Sequence, residues 1–258
     1  MAKVFAGTAL LFLLVAAAQA EDAPTPLPPA AAPLTAAKIV SGDELQLSDG
    51  RPVKFETVKL EGVKAPASGK LADQARENLE KLAGGKVLSL ENGPTDRYGR
   101  TVAQIYAGEG KERIWLEGEQ LKAGMAFVYP PTGAEQNLSD MLKAESAARA
   151  AKRGIWADPF YADLDGNKGS VTYGRFAFVR GNVVKAERVK NKFYLNFGPD
   201  WRKDFTVAIA AHDLHAWKKA KIDPESYAGK NVRVRGWVKR DFGPMIMVTS
   251  PDQIELLP

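Results

Sequence analysis

The segment Thr-Asp-Arg-Tyr-Gly-Arg at 95–100 packs one acid, two arginines, a tyrosine and a glycine into six positions. Arginine forks hold phosphate oxygens in paired hydrogen bonds and a tyrosine ring offers a stacking face, so Arg97, Tyr98 and Arg100 can grip an anion. The same residues also write an ordinary structural turn, with Asp96 accepting backbone N–H groups, Gly99 at φ > 0 and Arg100 tied to an acid. A second group lies towards the C-terminus. There Phe193, Tyr194, Phe197, Trp201, Phe205, Trp237 and Phe242 are interleaved with Arg188, Lys190, Lys192, Arg202, Lys203, Arg233 and Arg235. Aromatics among cations on a barrel face bind single strands by stacking and charge. Phe193, Leu195 and Phe197 share one strand parity and point to a core, which leaves two or three of the seven rings for the surface. His212 and His215 have metal-binding spacing, but they are the only histidines and no cysteine joins them, so they belong to a surface. Asp-Leu-Asp-Gly-Asn at 163–167 lacks the distal glutamate of a calcium loop and reads as a turn. P-loop, dinucleotide and Gly-x-Ser-x-Gly fingerprints are absent from the sequence.

These residues need elements to hold them. Leu45 and Leu47 alternate, Asp49-Gly50 marks a hairpin turn, and Val53/Phe55 and Val58/Leu60 continue the strand pattern with a phase slip at Thr57. Pro66 stops the run. Ser68 can cap a helix through Ala83 with Leu71, Ala75, Leu79 and Leu82 on one face, ended by Gly84-Gly85. Strands at 86–90 and 101–107 follow, and the 95–100 segment connects them. A short helix at 115–123 and a long one at 134–152 complete the first half. Residues 158–174 are turn-rich. Beyond them come strands at 176–184, 192–197 and 204–210, a helix at 212–221, and strands at 231–238 and 244–250. Three strands, a helix and two strands is the order of an OB-type barrel, and the chain runs through it twice. The fold class expected is mainly β with helices (α+β): two OB-fold-type five-stranded barrels.

The chain has 258 residues, 36 basic against 31 acidic, and formal charge +5. Residues 1–20, with one lysine, an apolar run at 9–18 and the ending Ala18-Gln19-Ala20, read as a cleavable signal peptide cut after Ala20, its apolar run being too short to span a bilayer. The mature chain is then secreted or periplasmic, carries +4, and has no transmembrane segment. Residues 21–37 form a Pro/Ala-rich linker. The absence of cysteine excludes disulfides, thiol chemistry and a lipid-modified N-terminus. A mildly basic balance permits a polyanionic partner without demanding one.

Over residues 38–160 the stretches VSGDELQL, VKLEGVKAP, TDRYGR, AGMAFVYP and AESAARAAKRGIWAD resemble, in order, the staphylococcal-nuclease-like (thermonuclease) family. Residues 175–258, after a linker at 161–174, resemble the OB-fold extension of some exported members, on YLNFGPDWRKDFTV and VRVRGWV. The resemblance implies an OB-like barrel that cleaves phosphodiesters with Ca²⁺, two arginines and a general-base glutamate. Transferred position by position, the first metal aspartate falls on Asp43 and the second on Lys64. The general base falls on Ala67, the strand arginine on Lys59, and the second arginine is kept as Arg100. Arg97, Tyr98 and Tyr129 match nucleotide contacts. Lys64 sets an ammonium where a carboxylate held metal and can pair with Asp43 instead. Glu44, Glu56 and Glu61 lie near enough in sequence to be considered as replacement acids, Glu61 sharing the parity of Lys59.

The expectation is therefore an exported family member with a degenerate site. It binds single-stranded nucleic acid, another polyanion or an envelope protein partner, with no cofactor. Ca²⁺ enters only if the nuclease site functions. The alternatives are an active metal-dependent nuclease with a rebuilt site and a purely structural protein–protein module.

Overall fold

A computed structural model of the protein describes residues 33–48, 56–60, 63–91, 93–129, 137–169 and 171–258. The signal-peptide and most linker residues, the 49–51 turn, Val53, Phe55 and Glu61 lie outside them. The described residues form one compact unit.

The first barrel starts with strands β1 (Thr35–Ser41), β2 (Glu44–Ser48) and β3 (Glu56–Leu60), followed by the two-residue β4 (Val63–Lys64) and helix α1 (Lys70–Ala83). It continues through β5 (Leu88–Glu91), β6 (Thr101–Ala107), β7 (Ile114–Trp115), α2 (Leu116–Lys122), β8 (Phe127–Val128) and α3 (Leu138–Ala150). The sheet runs β1-β2-β3-β6-β5, with β3 and β6 parallel. It closes on itself where the Leu88 N–H donates to the Leu34 carbonyl at 2.7 Å. The alternation at Leu45 and Leu47 buries both inside this barrel with Leu60, Leu79, Ile105 and Leu121. Helix α1 buries Ala75 and Leu79 as its spacing predicts, but it begins after Gly69, whose φ of +78° turns the chain, and Ser68 does not cap it.

The second barrel is built from β9 (Leu164–Asp165), β10 (Arg175–Asn182), β11 (Lys185–Val189), β12 (Lys192–Asn196) and β13 (Thr206–Ala210), then α4 (Leu214–Ala220), β14 (Asn231–Asp241), β15 (Gly243–Val248) and β16 (Ile254–Leu256). Its order is β11-β12-β13-β15-β14-β10-β9, with β16 paired to β14 and with β13 and β15 parallel. Only Val183 and Val184 separate β10 from β11. β10 and β11 are thus halves of one bent strand, which pairs with β14 on one side of the sheet and with β12 on the other. Both halves of the chain therefore have the expected strand order. The strand Lys185–Val189 was not foreseen, because its three charged residues leave no apolar alternation, although Ala186 packs on the core. Phe193, Leu195 and Phe197 fill this core, as their parity requires.

The barrels are fastened to each other. Phe127, Ala148, Ile155 and Trp156 of the first pack against Phe178 of the second. Beside them lie Glu145, Arg149, Asp163, Arg233, Arg235 and Glu255, three cations and three anions linked in a single network. Arg235 is 1% exposed and grips Glu145 through two 3.0 Å hydrogen bonds. Arg233 and Arg235, read from the sequence as cations of a strand-binding face, are instead part of this seam. The guanidinium of Arg149 lies 3.9 Å over the Trp156 ring. Residues 161–174, read as a linker, contribute Asp163 to the network and β9 to the second sheet.

Candidate functional site

Asp43 stands at the β1–β2 hairpin, whose shape is fixed by its glycine. A Cβ on Gly42 would lie 2.5 Å from that of Ala75, so α1 can pack directly on the turn. The Gln120 side chain of α2 donates to the carbonyls of Gly42 and Ala75 at 2.5 and 3.0 Å, tying hairpin to helix. The Asp43 residue is 3% exposed. One of its carboxylate oxygens accepts from Ser41 Oγ at 2.8 Å and the other from Lys64 Nζ at 3.3 Å. Lys64 reaches it from β4, which β8 holds in antiparallel pairing. The ion pair foreseen from the sequence is in place.

Arg100 is held on the same side. Its Nε and Nη2 engage Asp96 Oδ2 at 2.8 and 2.7 Å, and its Nη1 donates to Glu44 Oε2 at 2.7 Å. Asp96 Oδ1 accepts the backbone N–H groups of Tyr98 and Arg100, and Gly99 turns the chain at φ +77°. Desolvation alone would raise the Asp96 carboxyl, but the guanidinium of Arg100 and these two amides outweigh it and hold the group at about 2. Burial alone would lower Arg100; the hydrogen bonds it donates to Asp96 and Glu44 carry its guanidinium above its ordinary value. The turn reading of 95–100 is realised in full. Glu44, considered in the sequence as a replacement acid, is the second partner of Arg100.

What the turn displays is Tyr98, 67% exposed. Its ring has the Arg97 guanidinium 4.8 Å from its centroid and that of Arg100 at 5.2 Å. Arg97 has no acidic partner among the described residues. Lys59 lies opposite Glu44 in the ladder to β2 and opposite Val102 in that to β6. Ala67 is exposed and lines a groove of about 530 Å³ with Phe127, Phe160, Tyr161, Arg175 and Trp237. Tyr129 is drawn towards the second barrel. Its ring sits 5.4 Å from that of Phe176, and its hydroxyl accepts from Trp237 Nε1 at 3.3 Å. His212 is 83% exposed in its side chain, consistent with surface placement.

Comparison with known proteins bears on this arrangement. The model of the staphylococcal nuclease homologue family matches residues 57–158. Residues 57–158, which carry most of the first barrel, are thus similar to a staphylococcal nuclease homologue domain. An uncharacterized endonuclease of Escherichia coli O157:H7 is 29% identical over 124 residues, covering 47% of this chain and 74% of that protein. A micrococcal nuclease of Shigella flexneri is 28% identical over 128 residues, with 47% and 72% covered. A 38.1 kDa uncharacterized protein of Capnoides sempervirens is 37% identical over 101 residues, covering 39% of this chain and only 28% of that protein.

The nuclease-like domain does not present a calcium site in its described residues. Calcium takes about six to eight oxygen ligands, several of them carboxylates. Asp43 is committed to Ser41 and Lys64, and no three acidic or imidazole groups converge among the described residues. A divalent ion about 4 Å from the Lys64 ammonium would meet repulsion of about 8 kcal/mol at an effective dielectric of 20. The described residues around Asp43 do not supply that ligand set.

Proposed function

We propose that the nuclease-like domain holds single-stranded nucleic acid, or another polyanion, on the 95–100 turn without hydrolysing it. The family points to nucleic acid. What speaks against hydrolysis is one contact, Lys64 Nζ on Asp43 at 3.3 Å, an ammonium occupying the side of the carboxylate that a metal would need. Ala67 adds to this, since a methyl group cannot take a proton from water and loss of a general base costs about 10²–10⁴ in rate. What favours binding is Tyr98, an exposed ring flanked by two guanidiniums on a turn braced by Asp96. A base can stack there while Arg97 meets the phosphate. Arg100 is less free to do so, because a phosphate would have to displace Asp96 or Glu44.

We propose further that residues 1–20 direct export and are removed after Ala20, which places the ligand or an envelope protein partner outside the cytoplasm. N-terminal sequencing of the exported protein checks the cut.

The site is tested by incubating the chain from Glu21 with single-stranded DNA and RNA, in Ca²⁺ and in chelator. The expected result is intact substrate and binding that weakens steeply with salt. Tyr98→Ala should weaken it about 5- to 150-fold, the worth of one stacked base. Calcium-dependent cleavage abolished by Asp43→Ala would overturn the non-hydrolytic reading. Absence of binding at any salt would leave a structural module.

A further inference from the structure

A cavity of about 410 Å³ lies on the outer face of the second barrel, far in sequence from the nuclease-like turn. Its floor follows from strand register. Tyr194 of β12 lies opposite Glu187 of β11, and Met245 of β15 opposite Thr206 of β13. Phe193 and Leu195 point inwards, so Tyr194 must point out. Two loops raise the walls. The 198–204 loop is bound into shape by Asp204, whose carboxylate accepts the Asp200 N–H at 2.8 Å, and it presents Trp201. The β14–β15 turn presents Asp241 and Phe242. Gly243 lets the two loops meet, since a Cβ there would come within 2.6 Å of the Asp204 carbonyl.

The walls are aromatic and nearly perpendicular. The Trp201 and Phe242 rings are 5.1 Å apart at 77°, although Trp201 is 48% and Phe242 67% exposed. Phe242 holds a left-handed backbone with φ +59°. That region suits glycine or asparagine, and a bulky aromatic residue kept there is strained. Strain at an exposed ring that fills no core points to a role for the ring itself. The charged side chains in the lining are Glu187 and Asp241, both acidic. Glu187 meets Lys185 at 2.8 Å, while the Asp241 carboxylate has no ion-pair partner among the described residues. Arg202 rests 5.0 Å from the Trp201 ring centroid outside the lining.

We propose that this cavity binds a small organic cation, an alkylated ammonium, with Trp201, Phe242 and Tyr194 facing its methyl groups and Asp241 and Glu187 balancing its charge. Ring faces attract such cations through their negative quadrupole, and more strongly where water is excluded. A polyanion would meet carboxylates instead. The volume is that of a site for a small molecule.

The probe is choline, titrated calorimetrically into the chain from Glu21 and compared with its neutral isostere, in which carbon replaces nitrogen. Choline should bind at least about 10-fold tighter than the isostere. Phe242→Asn, which suits φ +59°, should weaken choline at least about 10-fold while leaving the melting temperature unchanged or higher. Asp241→Asn should weaken it about 3- to 10-fold, and more at low salt. Failure of choline to bind, equal binding of the isostere, or indifference to Phe242→Asn would each overturn the proposal. Displacement of choline by a single-stranded oligonucleotide that itself binds more weakly in Phe242→Asn would also overturn it, and would make the cavity a nucleic-acid site.

Discussion

Replacing Arg235 tests whether the two barrels are one thermodynamic object. Its guanidinium, 1% exposed, donates to both Glu145 oxygens at 3.0 Å, to the Val128 carbonyl at 2.9 Å and to Glu255. In Arg235→Met the stem is roughly refilled and the charge is gone. Glu145, 2% exposed, then keeps only Arg149 at 3.0 Å and the Val128 N–H at 2.6 Å. Breaking a buried pair by removing one partner costs about 3–5 kcal/mol, since a charge is left without compensation. The surviving Arg149 contact places this case at the lower end, about 3 kcal/mol. Glu255, with its side chain 24% exposed, regains water and adds little. Urea unfolding at pH 7 measures the loss from the midpoint, with the slope reporting any separation of the barrels. Glu145→Gln in the same background should recover more than about 1 kcal/mol relative to additivity. A single-variant loss under about 1 kcal/mol, or strict additivity, would refute the view that this ion pair joins the barrels.

Lys64→Asp with Ala67→Glu should give calcium affinity above that of the parent, read by calorimetry, because it exchanges the ammonium on Asp43 for a carboxylate and adds a second acid three residues on. Asp96 has a folded pKa of about 2 against an ordinary 3.8, so its contribution is complete above the higher value and is lost as pH falls towards the lower. Asp96→Asn should therefore flatten that part of the acid limb in urea midpoints taken from pH 5 to 2. The Glu145 carboxyl is also held below its ordinary 4.5: desolvation would raise it, but Arg235 and Arg149 prevail. Its contribution too is present above 4.5 and disappears as acid titrates the folded protein, so Arg235→Met should be less acid-sensitive than its parent. Gly154→Ala should destabilise by about 2–5 kcal/mol in the same assay, combining left-handed strain with overpacking. At φ +52° its Cβ would come 2.2 Å from the Gly124 carbonyl.

Local chemistry was readable in the sequence. The turn at 95–100 has the Asp, Gly and Arg roles of the turn reading, and the pairing of Lys64 with Asp43 that the sequence allowed is formed. Hydrophobic alternation located most strands because each barrel has one wet face and one dry face. Lys185–Val189 escaped because Lys185, Glu187 and Arg188 put a charge on both faces, leaving Ala186 as its one contact with the core. The inter-barrel seam escaped for a different reason. Glu145 and Arg235 are 90 residues apart, and nothing in the residues near either announces a partner, so Arg235 looks like any solvent-facing strand arginine. Glu44 as the second acid on Arg100 was likewise hidden by a separation of 56 residues.

The seam also changes what a fragment of this protein would be. A chain ended near residue 160 would keep the whole nuclease-like barrel yet release Glu145 from Arg235 and strip Phe127, Trp156 and Tyr129 of their aromatic neighbours. The missing half would be felt as an exposed apolar scar beside a stranded carboxylate. Excision would therefore yield a sticky protein, and the nuclease-like barrel is here a piece that cannot be traded on its own.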